Sequence, residues 1–394
     1  MLHKHRLTIT HEGFYYLFVL FFVVIGAFLR EINLLLLLTG MMIGPLVFNW
    51  WAITTTLRGL VVTRNLPERI CAGDLLIIEL SVTNSRSRND SWAISLEDPI
   101  RRLESSTSPQ TSSAQVMAVR VRAGETQRLI YRGRLMQRGH YQFGPACIST
   151  RFPLGLLRRS MQVKCTDQLV VYPQLGQLTR QWTKLVQSER LGTQQSRHRH
   201  GLVEGDFYGL RDWRSGDSRR WIHWRTSAKR GSLKIRQFER QRNQNLALIV
   251  DLWHPGNPDA SESSPCERAV SFAATIVEEI CRRGGSQILF GTVGQQIHCL
   301  RGAASMGLLY EIMDHLAGVA STSNDRFPEL LETALDRIAP GMKVVVVSTR
   351  TNDFSDTERF ASIWDDPKKR NLLGQIVSID VSNDESAEYF RLES

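Results

Sequence analysis

The sequence is poor in the patterns that mark small secreted scaffolds and in those that mark enzymes. Its six cysteines, at 71, 147, 165, 266, 281 and 299 of 394 residues, show no Cys-x-x-Cys spacing. That argues against a disulfide framework or a zinc site and fits reduced thiols. There is no glycine-rich phosphate loop ending in Gly-Lys-Ser/Thr, no His-Glu-x-x-His and no Gly-x-Ser-x-Gly elbow, so the usual carriers of nucleotide, metalloprotease and serine-hydrolase chemistry are missing. Acidic residues are outnumbered 39 to 49 by Lys and Arg, giving a formal net charge of +10. Such a balance suits an acidic partner, an anionic membrane surface or nucleic acid. The sequence assigns no catalytic residue, cofactor or metal ligand, and it reads as a binding protein rather than an enzyme.

Long apolar runs are present, and they come first. Residues 14–29, FYYLFVLFFVVIGAFL, carry no charge and as a helix span roughly 24 Å, close to a bilayer core. Arg30 and Glu31 interrupt, and a second run extends from Ile32 to Ile53. The pair reads as a tight transmembrane α-hairpin, because backbone in lipid must be hydrogen-bonded internally. Lys4 and Arg6 before the hairpin, with Arg58, Arg64 and Arg69 after it, place both flanks in the cytoplasm and the chain in the inner membrane, as a protein with two spans. A signal peptide fits less well, since no small-x-small cleavage site follows and a second span does. Gly40 and Gly44 form a Gly-x-x-x-Gly pair, which admits either close approach of the hairpin partner or helix–helix self-association.

From about Leu60 to Tyr172 the period changes to two. Leu76, Ile78, Leu80 and Val82 alternate with Ile77, Glu79, Ser81 and Thr83. Val119 and Val121 lead into a turn at Ala123-Gly124-Glu125 that Leu129 and Tyr131 leave, which predicts a hairpin. Short strands at regular spacing predict an Ig-like β-sandwich. The expected organisation is an N-terminal tail with two transmembrane helices (1–59), the sandwich (60–172), a linker (173–204) with a short helix and a basic tract, a dense Trp/Arg segment (205–242) and an α/β domain (243–394). In the last, strands at Leu246 to Leu252, Gln287 to Val293, Lys343 to Ser348 and Gly374 to Val381 alternate with helices, which predicts a doubly wound, mostly parallel sheet.

The segment Gly205 to Arg242 holds eleven Lys and Arg against four acids, with Trp213, Trp221 and Trp224. Ser215-Gly216-Asp217 reads as a turn with Asp217 at a helix N-cap. A helix is then expected from about Ser218 to Arg230, with Trp221, Ile222, Trp224, Arg225 and Ala228 on one inward face. The run Gly205-Asp206-Phe207, Leu210-Arg211-Asp212-Trp213, Gly216-Asp217-Ser218-Arg219-Arg220, Ile222-His223-Trp224-Arg225 and Ser227-Ala228-Lys229-Arg230 resembles the domain of unknown function 58 family. Where that family usually has an aspartate before the second tryptophan, this chain has His223. Arg211, Asp212, Trp213, Gly216, Asp217, Arg219, Arg220, Trp224 and Arg225 are therefore the candidate binding or signature residues.

The resemblance implies a membrane anchor and a C-terminal domain like von Willebrand A. It also implies an adaptor or assembly role beside a MoxR-type AAA+ ATPase. A von Willebrand A-type cation site needs Asp-x-Ser-x-Ser, whose carboxylate and hydroxyls are hard oxygen ligands. Here Asp251 is followed by Leu252-Trp253-His254-Pro255, and only Asp353 remains to approach it, so the site reads as structural or vestigial. Two other readings stay open: nucleic-acid binding through the basic aromatic segment, and metal-dependent catalysis on the degenerate site. The first is disfavoured because aromatics at helical spacing usually serve a core and because a bilayer-tethered surface has its own use for positive charge.

Overall fold

The computed structural model describes residues 5–30, 33–103, 111–188, 207–215, 217–238, 245–255, 264–294, 296–383 and 386–392. Gly216, Gly205-Asp206 and the basic tract 194–200 lie outside the described residues. The chain forms two compact units, 1–175 with 313–319, and 176–312 with 320–394.

The first unit opens with strand β1 (His5–Ile9) and two helices, α1 (His11–Arg30) and α2 (Asn33–Thr56). Both helices are long and apolar enough to cross a membrane. Their outer faces expose Phe14, Phe18, Phe21, Phe28, Leu37 and Met41, far more contiguous apolar surface than a soluble domain leaves uncovered. The Tyr16 hydroxyl donates to the Met42 carbonyl at 2.8 Å. No neighbouring atom comes within 4 Å of a Cβ placed on Gly40 or Gly44, so these glycines do not serve close approach of α1.

Strands β2 (Leu60–Asn65), β3 (Ile70–Cys71), β4 (Leu75–Asn84), β5 (Ser91–Arg102), β6 (Thr111–Val121), β7 (Thr126–Arg134), β8 (Gly139–Phe143), β9 (Ala146–Thr150), β10 (Leu157–Val163) and β11 (Asp167–Tyr172) follow. They form a three-stranded sheet β2-β4-β7 facing a larger one, β1-β10-β9-β5-β8-β11-β3, with β6 on β5. Leu76, Ile78, Leu80 and Val82 are buried as their alternation requires, against Ile94, Leu96, Phe143 and Ile148 of the other sheet. The expected hairpin at 119–131 is a corner instead: β6 pairs with β5 while β7 pairs with β4 in the opposite sheet. Asn84 holds the corner, accepting from Gly124 N–H at 3.0 Å and donating from Nδ2 to the Val121 carbonyl at 3.2 Å. A turn signal alone does not say whether the chain returns along its own sheet.

The N-terminal segment is not a free tail, since β1 pairs antiparallel with β10, Leu7 opposite Arg159. Thr10 N-caps α1, its hydroxyl accepting from Gly13 N–H at 3.0 Å and donating to the Gly155 carbonyl at 2.6 Å. A Cβ on Gly13 would lie 1.9 Å from the Leu156 carbonyl oxygen, so glycine is required for this approach. At the far end of the hairpin, Arg86 donates to the carbonyls of Thr55 at 2.5 Å and Thr56 at 3.2 Å, the last of α2. Both ends of the hairpin thus enter the same sandwich.

The second unit comprises β12 (Gly176–Leu178), α3 (Arg180–Ser188), β13 (Phe207–Asp212), α4 (Trp224–Arg230), β14 (Lys234–Phe238), β15 (Leu246–Asp251), α5 (Ser264–Arg283), β16 (Gln287–Val293), β17 (Ile297–Ala303), the first part of α6 (Met306–Gly318), α7 (Phe327–Arg337), β18 (Lys343–Ser348), α8 (Ala361–Trp364), α9 (Pro367–Leu373), β19 (Val377–Asp380), α10 (Ser386–Tyr389) and β20 (Phe390–Leu392). Its sheet runs β17-β16-β15-β18-β19, parallel except for β17. Ala247 and Ile249 face α7 and α9, while α5 packs on β15 and β18. The edge strand β17 was not expected from the sequence, because its half-buried residues lack the continuous apolar run of β15. Residues 176–188, read as linker, belong to this unit: β12 pairs with β20, and Trp182 of α3 and Phe390 both pack on Phe272 of α5 at 5.5 and 5.1 Å.

One charge inside the sandwich departs from the membrane-flank reading. Arg64, counted above as a juxtamembrane cation, has a fully covered side chain paired with equally covered Asp98. Arg64 Nε donates to Asp98 Oδ2 at 3.0 Å, Arg64 also meets Asp167 at 2.6 Å, and the Tyr131 hydroxyl donates to Asp98 at 2.7 Å. Burial, and then the bond to Asp98, push the Tyr131 phenol up. Removing one partner of such a pair strands a charge in low dielectric. Asp98→Ala is expected to cost about 3–5 kcal/mol, measured as a fall in the denaturation midpoint of the full chain in detergent, with Tyr131→Phe costing clearly less.

Candidate functional site

The Trp/Arg segment folds as a small hairpin. β13 and β14 pair antiparallel, Asp212 opposite Lys234, and the connection between them carries a 3-10 turn at Arg219–Trp221 and then α4. The single helix expected from Ser218 to Arg230 is therefore broken. His223, not Asp217, caps α4, its Nδ1 accepting from Thr226 N–H at 3.2 Å. Asp217 is committed elsewhere: Arg211 grips its two oxygens at 2.6 and 2.7 Å, and the Arg214 N–H donates to it at 2.9 Å. The Arg211 bond, followed by that of Arg214, holds the Asp217 carboxyl at about 2. Its contribution to stability is complete above the ordinary aspartate range and is lost as pH falls through that value.

The expected inward face is also corrected. Among the described residues of this hairpin Ile222, Ser227 and Ile235 are buried, and Ser227 Oγ accepts from Lys234 N–H at 2.8 Å. Trp224 is 66% exposed, and Arg225 and Ala228 are exposed with it, because α4 starts only at Trp224 and the kink at Ile222–His223 rotates the expected stripe outward. Trp213 and Trp221 are half-buried, with the Arg220 guanidinium 5.7 Å from the Trp221 ring centre. Asp212 pairs with Lys234 at 2.5 Å. Arg211, Asp212 and Asp217 thus brace the hairpin, whereas Arg219, Arg220 and Arg225 are exposed like Trp224 and make no ion pair among the described residues. Gly216 lies outside the described residues.

A second constellation lies at the carboxyl edge of the α/β sheet, between β15 and β18, where the chain order reverses and open α/β sheets bind ligands. Asp251, 1% exposed, accepts from Ser348 Oγ and from Arg350 Nε, both at 3.0 Å. Arg350 reaches on to Asp325 at 2.5 Å, and Arg359 meets Asp325 at 2.8 Å. Arg359 also donates to Asn352 Oδ1 at 3.0 Å, and Asn352 Nδ2 returns to Ser348 Oγ at 2.8 Å. The loop closes with two carboxylates and two guanidiniums and is electrically neutral. Burial pushes the Asp251 carboxyl up against the pull of Arg350. Burial also opposes ionisation of Asp325, but its bonds to Arg359 and Arg350 hold it low. Asp353, the expected second acid, instead accepts from Ser355 N–H at 2.9 Å. No group of three metal-ligating side chains occurs among the described residues.

Arg350, Asp325 and Arg359 were missed by sequence reasoning. Asp325 and Arg359 lie far along the chain from Asp251 and carry no spacing signal, but Arg350, two residues past the interior strand β18, was legible as a cation at the sheet edge.

Residues 209–362 match the family described as "Protein of unknown function DUF58", a span from the β13–β14 hairpin into α8. Over 147 residues the chain is 26% identical to the uncharacterized protein YeaD of Bacillus subtilis (strain 168), covering 37% of this chain and about a third (34%) of that relative. Among solved structures it is similar to the CARDB domain of PF1109 from Pyrococcus furiosus, at 13% identity and a TM-score of 0.19, over 28% of this chain and 91% of that one. It is likewise similar to a β-glucosidase from Kluyveromyces marxianus, at 12% identity and a TM-score of 0.21, over 28% and 14%. Likenesses at these scores bear on neither fold nor function.

With Arg350 already between the acids, millimolar magnesium or manganese is expected to leave the melting temperature of the full chain unchanged; a bound ion at a hundredfold excess over Kd would add about 2.7 kcal/mol. In Arg350→Ala the Asp251 carboxyl loses its counter-charge and its pKa climbs further. A folded-state pKa raised above the unfolded one removes stability as pH rises through it, so the variant should be weaker relative to wild type at about pH 8 than at about pH 5. Equal losses at both pH values would contradict this.

Proposed function

We propose that this chain is a membrane-anchored adaptor or assembly factor whose soluble units face the cytoplasm and whose β13–β14 hairpin docks an acidic surface of a protein partner. The observation that carries the reading is the exposure of Trp224 on the same hairpin as exposed Arg219, Arg220 and Arg225, none of which pairs with an acid among the described residues. Exposed tryptophan and arginine are the residues in which interface energy concentrates, and arginine recognises carboxylates with two-pronged geometry. Family resemblance adds a MoxR-type AAA+ ATPase as the expected partner. It also adds a von Willebrand A-like identity for the α/β unit, which the strand order and the position of Asp251 support. Arg6, Arg58 and Arg69 remain as exposed flanking cations and favour a cytoplasmic disposition; Arg64 no longer counts among them.

The self-neutralised ring at Asp251 supports a binding role over a metal-dependent one. Nucleic acid is a poorer fit, because Trp213 and Trp221 are partly committed to the hairpin and leave Trp224 as a lone stacking platform.

Charge reversal at Arg219→Glu with Arg220→Glu is expected to leave melting of the full chain near native while abolishing salt-sensitive capture of the co-purified ATPase. Trp224→Ala should change stability by no more than about 0.5 kcal/mol, yet weaken the same capture by more than about tenfold. Unfolding without a separable binding defect would make the hairpin a structural brace. Loss of nucleic-acid binding with capture intact would transfer the surface to that class.

A further inference from the structure

Where α2 meets the sandwich there is a cavity of about 370 Å³, lined by Thr54, Leu57, Arg58, Leu60, Arg159 and Met161 among others. Arg58 lies two residues beyond α2, and Arg159 projects from β10. Among the described residues neither guanidinium has an ion pair or hydrogen bond, and the cavity lining contains no carboxylate. The backbone does not explain them either, because the last carbonyls of α2 are taken by Arg86. Two like charges gathered in one cavity repel and keep each other available.

The surroundings fix what kind of anion fits. Leu7 and Ile9 are 50% and 55% exposed, and the β1–β10 ladder sets them opposite Arg159 and Leu157, on the face of the sheet that carries Arg159. Directly opposed residues in an antiparallel pair share a face. An apolar rim, two cations and apolar walls from Leu57, Leu60 and Met161 therefore coincide at the level where two apolar helices end. Burial, and then the nearby Arg58 charge, hold the Arg159 guanidinium below its usual range, as expected of a site short of negative charge.

We infer that this cavity binds the phosphate of an anionic phospholipid headgroup, with Arg58 and Arg159 on the phosphate and Leu57, Leu60 and Met161 against the glycerol and upper acyl chain. The inference rests on the membrane-anchored reading proposed above. A diffuse basic flank attracts a surface nonspecifically; a two-arginine cavity with apolar walls selects one headgroup. Such a lipid would join the helix end to the larger sheet by bridging residues from α2 and β10.

The test uses the full chain, purified in detergent and stripped of lipid, with its melting temperature followed on titration of phosphatidylglycerol, phosphatidylcholine or inorganic phosphate. Phosphatidylglycerol is expected to raise the melting temperature saturably, while the other two leave it unchanged. Arg58→Gln and Arg159→Gln should each weaken the apparent affinity about five- to tenfold. Arg58→Gln, at an exposed position, should keep the lipid-free melting temperature. Equal shifts with phosphatidylcholine, full reproduction by phosphate alone, or unchanged affinity in both variants would each overturn the site. Carbonate extraction of wild-type membranes, done first, separates this from failure of anchoring: wild-type chain released to the supernatant overturns the anchored reading itself.

Discussion

The N-terminal unit depends on one constraint, the disposal of backbone hydrogen bonds where two apolar helices end. The first N–H groups and last carbonyls of a helix have no partner within it, and any that are buried without one cost about as much as a lost hydrogen bond. Here the sandwich provides the partners. Thr10 caps the start of α1 while bonded to the β9–β10 connection, and Arg86 closes the end of α2 while its own Nε is held by Asn84 Oδ1 at 3.0 Å. Asn49, buried within α2, accepts from the Leu154 N–H at 3.3 Å. Because β1 is itself a strand of the sandwich, the hairpin is bracketed by one domain rather than hung from it.

Arginine carries much of the remaining logic, and its partners sort its roles. Arg64 is consumed by Asp98 and Asp167, Arg211 by Asp217, and Arg350 and Arg359 by Asp251 and Asp325. These pairs hold covered or semi-covered geometry, where a fixed planar cation matches two carboxylate oxygens. Among the arginines without such an acid, Arg219, Arg220 and Arg225 are exposed on the hairpin, and Arg58 and Arg159 line the cavity beside α2. On the proposed reading the first group serves a protein and the second a lipid.

Much of the fold was legible because local pattern and final burial agree. The alternation in β4 and the all-apolar run of β15 are each dictated by which faces are covered. Failures occurred where distant contacts decide. The corner after Val121 looks locally like a hairpin turn, and only Asn84, some forty residues earlier in the chain, makes it change sheets. In the Trp/Arg segment the spacing of Trp221, Trp224 and Ala228 imitates a helix face, but Arg211 draws Asp217 from its expected cap and the helix begins late. The spacing assigned Asp217 to a cap and Trp224 to an inward face, whereas Asp217 braces the hairpin and Trp224 is exposed. The ring at Asp251 joins four stretches of chain, so no spacing rule reaches it.

Protease protection on sealed inverted membrane vesicles, using the full chain with an epitope ahead of Met1, tests the central claim most directly. If β1 and the sandwich form one domain at the cytoplasmic face, the epitope and the sandwich are both digested without detergent. Protection of either one until detergent is added would contradict the account, because it would separate the strand from the sheet to which it is bonded or place the whole unit on the other side.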